Sequence, residues 1–247
     1  MSATEDVFLR ETFALIDGLD AVQRTSEAQA RIIAHIRQVG LTAFTVSRLP
    51  QPGDRLSPNM LLNVWPKEWL TQYDRAGHYR FDPVVRQCYR TVEPFAWSDA
   101  PLDTDDGGRA RRVMDEAADF GLAFGFCIPV HDALGFQGGV SLAGEEVDLS
   151  PKIRRGLHML GLYAWGAAAR MTAEERRRGE PGRLLSARER DVLSWAAAGR
   201  TREEIAGILG VSQETVATHL KSARLKIGAR NTTQTVVEAL RRREIVL

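Results

Sequence analysis

Three aromatic residues and one carboxylate stand close together in the segment WPKEWLTQYDRAGHYRFDPVV. Trp65, Trp69 and Tyr73 follow one another at intervals of four residues. This spacing predicts one face of a helix, because four residues turn only about 40° beyond a full turn. Asp82 comes nine residues after Tyr73 and directly before Pro83. One interpretation is an aromatic core face followed by a turn aspartate. The other is a small-molecule pocket, in which aromatic walls surround one charged group that orients the ligand.

The charge of the chain is divided unevenly between its two parts. The 247 residues carry a net charge of only +1. Residues 1–169 have 17 basic and 22 acidic side chains, a net of −5, whereas residues 170–247 have 16 and 10, a net of +6. An acidic front and a basic back predict two modules, the second of which attracts a polyanion.

The cysteines and the N-terminal residues predict the cellular compartment of the protein. Cys88 and Cys127 form neither a CxxC pair nor a metal-binding spacing, so we expect reduced thiols. The first residues lack the basic-then-apolar order of a signal peptide, and no apolar run approaches the ~20 residues of a membrane span. We therefore expect a cytoplasmic protein with no metal, no cofactor and no membrane partner.

The order of helical and strand patterns predicts an α+β fold. Strands interleaved with helices and ending in a hairpin favour an N-terminal α/β/α sandwich with a mostly antiparallel sheet. The expected helices are 5–17, 26–39, 109–120 and one from Pro151 to about Met171, and the expected strands are 41–49, 59–65, 124–132 and 136–144. Residues 172–183 contain almost no apolar residue and read as a linker between domains at 1–171 and 184–247.

A four-helix pattern follows the linker. Ser186 with Glu189, and Thr201 with Glu204, have the spacing of capping boxes at the starts of the first two helices. Helix, short turn and helix in a basic domain indicate a helix-turn-helix, although many helix pairs imitate this spacing and a solvated helical bundle would also fit. The residues expected to meet DNA are Gln213, Glu214, Thr215, Thr218, Lys221, Arg224 and Lys226.

The segment from Leu185 to Ile227 resembles the C-terminal DNA-binding domain of the LuxR family. The shared pattern is LSxRExxVLxWxAxGxTxxEIAxxLxxSxxTVxxHLxxxxxKI. The resemblance implies that the third helix enters the major groove of double-stranded DNA. Where some family members place an arginine in the groove, this chain has Ala217, so the operator sequence of a relative cannot be transferred.

Residues 30–170 resemble the autoinducer-binding domain of quorum-sensing LuxR proteins. The resemblance rests on Trp69, Tyr73, Asp82-Pro83, Trp97 and Gly125, and on the phrases DPVV, PFAWSD and ADFGLAFGFCIPV. It implies that an N-acyl-homoserine lactone is the ligand. The implied binding residues are Trp69, Tyr73, Asp82, Trp97, Ser141, Trp65, Phe44 and Gly125.

The resemblance also implies a role for each of these residues. The Trp69 indole donates to the lactone carbonyl, and Asp82 accepts the amide N–H in a charge-assisted hydrogen bond. Tyr73 and Ser141 can bond the amide carbonyl. Trp97 lines the lactone end, and Gly125 lets strand and ligand approach closely.

Trp65 departs from the family pattern, because many relatives have tyrosine at this position. An indole only donates a hydrogen bond, and it is bulkier than a phenol. With Phe44, Phe124 and Phe126 expected nearby, the sequence predicts a short, aromatic-walled pocket. We therefore expect a short, branched or aryl acyl group rather than a long straight one.

Together these features predict a quorum-sensing transcriptional activator. We expect a homodimer formed through the helix at 150–171, bound to a palindromic DNA site, with RNA polymerase as a further partner. One alternative is a DNA-binding regulator that is ligand-independent or senses another small molecule. A lactone hydrolase is disfavoured because no GxSxG, HxH or Cys/His arrangement is visible. A phosphoacceptor receiver is disfavoured because the first strand ends without an aspartate pair.

Overall fold

A computed structural model of the chain describes residues 3–50, 55–102, 107–132, 135–179, 184–242 and 244–245. The chain divides into two compact units, Met1–Arg176 and Arg177–Leu247. Among the described residues, no helix has both the length and the apolar character required to span a membrane.

The first unit contains one sheet and the helices that cover it. The strands are β1 (Ala43–Arg48), β2 (Met60–Asn63), β3 (Phe95–Ala96), β4 (Phe124–Asp132) and β5 (Gly135–Gly144). The helices are α1 (Ala3–Leu19), α2 (Thr25–Ile36), α3 (Lys67–Ala76), α4 (Pro83–Cys88), α5 (Arg109–Ala118) and α6 (Pro151–Gly179). The strand order is β2-β1-β5-β4-β3, and every neighbouring pair is antiparallel. The predicted hairpin is confirmed as β4 and β5, although residues 133–134 of its turn lie outside the described part.

Each face of the sheet is covered by its own set of helices. Successive strand residues point to opposite faces, so β1 contributes to two separate cores. Phe44 and Val46 pack in a core with residues of α1, α2 and α6. Ala43 packs on the other face, in a core with residues of α3, α4 and α5. The predicted α/β/α sandwich is therefore confirmed.

The main differences from the expected elements are one longer helix and two short elements. Helix α6 ends at Gly179, eight residues beyond the expected end at Met171. The segment TAEERRR lacks a stabilising apolar face, but it consists mainly of good helix formers and contains no Gly or Pro. The first part of the expected linker is thus helical, and residues 180–183 lie outside the described chain. Helix α4 and strand β3 span only six and two residues, too few for a periodic pattern.

The second unit is the predicted four-helix domain. Its helices are α7 (Ala187–Ala197), α8 (Arg202–Leu209), α9 (Gln213–Ile227) and α10 (Thr232–Arg241). Both predicted capping boxes are present, at the starts of α7 and α8. Gly210 ends α8 with a positive φ of 64°, which allows the tight turn into α9. The buried stripe of α9 consists of Val216, Leu220, Ala223 and Ile227.

Candidate functional site

A cavity of about 70 Å³ lies between the sheet and helices α3 to α5. The sheet contributes Thr45 and Ser47 of β1, Cys127 of β4 and Ser141 of β5, among others. The helices contribute aromatic and aliphatic side chains: Trp69, Tyr73, Val84, Val85, Val113, Met114 and Ala117. A mostly apolar cavity with a few convergent polar groups is the usual form of a small-molecule site.

Three aromatic side chains of the segment 65–85 pack against one another at this cavity. Trp69 and Tyr73 lie one turn apart on α3, with ring centroids 5.5 Å apart and nearly perpendicular planes. Trp65 precedes the helix, yet its ring reaches Tyr73 at 5.6 Å and Trp69 at 6.4 Å. These separations are typical of favourable edge-to-face and tilted aromatic pairs. The same rings are therefore both buried core and cavity wall.

Asp82 is the buried carboxyl group of the cavity. It is the N-cap of α4, where Oδ1 accepts hydrogen bonds from the backbone N–H groups of Val84 at 2.8 Å and Val85 at 3.3 Å. Oδ2 accepts a hydrogen bond from the Tyr73 hydroxyl at 2.7 Å. Burial raises the pKa of Asp82 above its ordinary value, and the hydrogen bonds from Tyr73 and the backbone oppose that rise only in part.

Tyr73 stays a hydrogen-bond donor to Asp82. Burial, followed by the nearby Asp82 charge, raises the pKa of Tyr73 well above its ordinary value, so the phenol keeps its proton. A carboxylate has about four acceptor positions, and the described contacts of Asp82 use three of them. Capacity for one further donor remains on this carboxylate.

Trp97 and Ser141 meet on the sheet side of the cavity. The Trp97 indole N–H donates to the Ser141 hydroxyl oxygen at 3.2 Å. A Cβ atom at Gly125 would overlap the Trp97 indole and crowd the carbonyl oxygen of Leu142. Gly125 therefore makes room for Trp97, and it does not line the cavity, which corrects the expected close approach of strand and ligand at this residue.

The phenylalanines expected in the pocket lie elsewhere. Phe44 and Phe126 belong to the core on the opposite face of the sheet, and Phe124 is 55% exposed. Within β1 the polar Thr45 and Ser47 face the cavity, whereas the apolar Phe44 faces the other core. The assignment of Phe44 to the ligand site is therefore wrong, because strand alternation turns its side chain away.

Several cavity residues were missed by the sequence analysis. Tyr79 lines the cavity, and its hydroxyl lies 3.3 Å from that of Tyr89. Val113 and Ala117 of α5 also line it, and their spacing of four residues on a helix was a usable signal. His78 does not line the cavity but packs behind it, with its ring 5.7 Å from that of Trp69 and its Nε2 atom 2.8 Å from Glu116 Oε2.

Two buried thiols meet at the cavity wall. The Sγ atoms of Cys88 and Cys127 are 3.4 Å apart, and both residues are free cysteines. The hydrogen bond with Cys88, in which the protonated Cys127 thiol is the donor, and burial raise the pKa of Cys127 well above its ordinary value. Across the described residues, no cluster of three or more His, Cys, Asp or Glu side chains could hold a metal ion.

Helix α9 presents most of the residues expected to meet DNA on its surface. Gln213, Glu214, Thr218, Lys221 and Lys226 are exposed, and Thr215 and Arg224 are partly buried. The helix begins at the N-cap Ser212, whose hydroxyl accepts from the backbone N–H of Thr215 at 3.1 Å. An exposed polar and basic helix face after a tight turn has the form of a DNA-recognition helix.

Glu189 of α7 holds the C-terminal half of α9 in place. Its carboxylate accepts hydrogen bonds from Ser222 at 2.6 Å and from Lys226 at 2.8 Å, and it also closes the capping box of α7. Burial alone would raise the pKa of Glu189, but these donors outweigh it and lower the pKa to about 2. Lys226 is therefore engaged within its own unit.

Comparisons with known proteins match each of the two units of the chain to a family. Residues 24–168 match the autoinducer binding domain, and residues 183–239 match the bacterial regulatory proteins of the luxR family. The chain is 36% identical over 245 residues to the transcriptional activator protein BjaR1 of Bradyrhizobium diazoefficiens, with 99% of each chain covered. It is 39% identical over 228 residues to the HTH-type quorum sensing-dependent transcriptional regulator RpaR of Rhodopseudomonas palustris, with 91% of this chain and 92% of RpaR covered.

The fold of the whole chain also has a counterpart among solved structures. Escherichia coli SdiA superimposes with a TM-score of 0.72 at 23% identity, covering 95% of this chain and 97% of SdiA. BjaR1 and RpaR, which match over more than nine tenths of their length, are named as a transcriptional activator and a transcriptional regulator. Both domains of the chain match a family, and relatives that are 36 and 39% identical cover more than nine tenths of it. The chain therefore belongs to the LuxR family of autoinducer-binding transcriptional regulators.

Proposed function

We propose that the protein is a quorum-sensing activator that binds an N-acyl-homoserine lactone with a short, branched or aryl acyl group. It would act as a homodimer on a palindromic DNA site. The observation that carries this proposal is the buried carboxyl group of Asp82, with an acceptor position still available, in an aromatic cavity. Such a ligand offers an amide N–H, two carbonyl oxygens and an apolar tail.

The donors and acceptors of the cavity suit this ligand. Asp82 takes the amide N–H, and the Trp69 indole donates to the lactone carbonyl. Ser141 is the better donor for the amide carbonyl, because its oxygen already accepts from Trp97 and its own proton remains available. The Tyr73 hydroxyl already donates its hydrogen bond to Asp82. Tyr73 therefore orients the carboxylate and does not donate to the amide carbonyl of the ligand.

The size of the cavity favours a compact tail. Its volume of about 70 Å³ is bounded by the aliphatic side chains of Val84, Val113 and Met114 as well as by the aromatic rings. Each buried methylene contributes about 0.8 kcal/mol, but only where the cavity has room for it. A ligand titration that prefers a twelve-carbon chain would contradict this part of the proposal.

An exposed apolar stripe on α6 supports a homodimer. Met159, Leu162 and Tyr163 are exposed to 36, 40 and 47%, and they lie on neighbouring turns of one helix. A symmetric dimer would bury this stripe against its own copy and would carry two α9 helices to two half-sites. The relatives BjaR1 and VanR are named transcriptional activators, which supports activation as the direction of regulation.

The decisive experiment is thermal unfolding of the purified chain with a panel of acyl- and aryl-homoserine lactones, followed by DNA binding with and without the best ligand. A higher midpoint with short, branched or aryl lactones, together with tighter DNA binding, is the expected result. DNA binding without a thermal shift from any lactone would favour the alternative regulator, which is ligand-independent or senses another small molecule.

A further inference from the structure

A second cavity lies at one end of the sheet, beside the first. It has a volume of about 660 Å³ and opens to the surface where β1 and β4 begin and β5 ends. Its lining includes Thr42, Val64, Phe120, Gly121 and Glu145. We refer to it as the end groove.

Trp65 stands between the end groove and the ligand cavity. Among the described residues that line either space, Trp65 is the only one that lines both. Its side chain is well buried, with 9% of the residue exposed, and it packs against Tyr73 on the cavity side. The indole is therefore a partition, with empty space on each of its sides.

The indole N–H is covered by the surrounding side chains. Trp65 Nε1 is buried, and no hydrogen-bond partner is found for it among the described residues. Because this atom has almost no accessible surface, it does not face either space. The bulk of the ring, and not its polar group, therefore separates the two spaces.

We propose that Trp65 is a specificity-determining residue, whose indole confines the acyl group to the small cavity. The inference rests on the proposed function, because it assumes an acyl-homoserine lactone in the cavity. A smaller side chain at this position joins the cavity to the end groove and admits a longer acyl chain.

The test compares three substitutions by calorimetric titration with isovaleryl-, octanoyl- and dodecanoyl-homoserine lactone. Trp65→Leu opens the partition, and Trp65→Met serves the same purpose with a flexible side chain if the leucine variant fails to fold. Trp65→Phe keeps an aromatic but smaller ring at the partition. Circular dichroism and the melting midpoint without ligand verify that each variant is folded.

The expected result is a change in the ratio of affinities between long and short lactones. Opening the partition should raise the affinity for the longer lactones relative to isovaleryl by roughly 15-fold, which corresponds to two newly buried methylenes at about fourfold each. Trp65→Phe, which keeps part of the wall, should change this ratio less than Trp65→Leu does. Unchanged ratios in the leucine and methionine variants would overturn the inference while the proposed function stands. Failure of the unsubstituted protein to bind any lactone would overturn the proposed function, and the inference with it.

Discussion

The substitution Asp82→Asn should separate ligand binding from folding. Asparagine is as good an N-cap as aspartate, so its side-chain oxygen can keep the bonds to the backbone N–H groups of α4. Its amide nitrogen can donate to the Tyr73 hydroxyl, which changes from donor to acceptor in the same contact. The acceptor for the ligand N–H is lost, because a donor now occupies the position of Oδ2.

The size of each effect follows from these contacts. A hydrogen bond to a charged group contributes about 1.5–3 kcal/mol, so the lactone Kd should rise roughly 10- to 150-fold. Stability without ligand should change by less than about 1 kcal/mol, because the cap and the contact with Tyr73 persist. Asp82→Ala keeps neither the cap nor the contact with Tyr73. It loses the cap and leaves the buried Tyr73 hydroxyl without a partner, and these losses together cost about 2–4 kcal/mol.

The pH dependence provides a second signature of Asp82. A carboxyl group with a raised folded pKa holds its proton more tightly in the folded state. Its contribution to stability is therefore complete below the ordinary value of 3.8 and declines as the pH rises through the folded pKa. The asparagine variant should lack this decline. Ligand affinity of the unsubstituted protein should fall as the pH is lowered through the same pKa, because the protonated carboxyl group no longer carries the charge.

Titration calorimetry with the best lactone measures Kd, and urea unfolding between pH 3 and 8 measures stability. Tyr73→Phe is the matched control, because it keeps the ring and removes only the donor to Asp82. An asparagine variant that binds the lactone as tightly as the unsubstituted protein would refute the role of Asp82. An asparagine variant that is as unstable as the alanine variant would refute the proposed exchange of hydrogen bonds.

Three further predictions concern other parts of the chain. Glu189 has a folded pKa of about 2 against an ordinary 4.5, so it contributes about 3 kcal/mol above pH 4.5, which is lost as the pH falls towards 2. Glu189→Gln should remove this acid dependence from urea unfolding of the second unit, and an unchanged dependence would exclude the residue as its source. Lys221→Ala should reduce the slope of log K for DNA against log salt by about 0.9, whereas Lys67→Ala, also exposed but on α3, should leave it unchanged. Leu162→Glu should dissociate the dimer in sedimentation velocity and leave the monomer folded by circular dichroism, because the side chain is 40% exposed within one chain, and a variant that stays dimeric would exclude this face of α6.

The parts of the fold that were predictable are those with periodic or capping signals. The capping boxes at Ser186 and Thr201 were predictable because a capping box requires a glutamate three residues after the serine or threonine. The β4–β5 hairpin was visible because two apolar runs flank a short turn. Helix α4 was not, because it has six residues and its only signal, Asp82-Pro83, also fits a turn.

The position of Phe44 could not be predicted from the strand pattern. Alternation in β1 separates Thr45 and Ser47 from Phe44 and Val46, but helices cover both faces of the sheet. A sequence does not say which of two covered faces contains the cavity, and an error of one residue reverses every assignment. The polar face proved to be the cavity face, since a cavity leaves room for hydroxyl groups that a packed core excludes.

In the proposed complex, Asp82 connects ligand binding to the packing of helices α3 and α4. The same carboxyl group caps α4, accepts from Tyr73 on α3 and has a position left for a ligand donor. A ligand bound there contacts two helices that are held together through this one group, so its binding free energy adds to the stability of their packing. At a hundredfold excess over Kd that addition is about 2.7 kcal/mol. For a unit of this size it corresponds to a rise of roughly 5–11 °C in the melting midpoint, which is large enough to distinguish a matching lactone from a poor one.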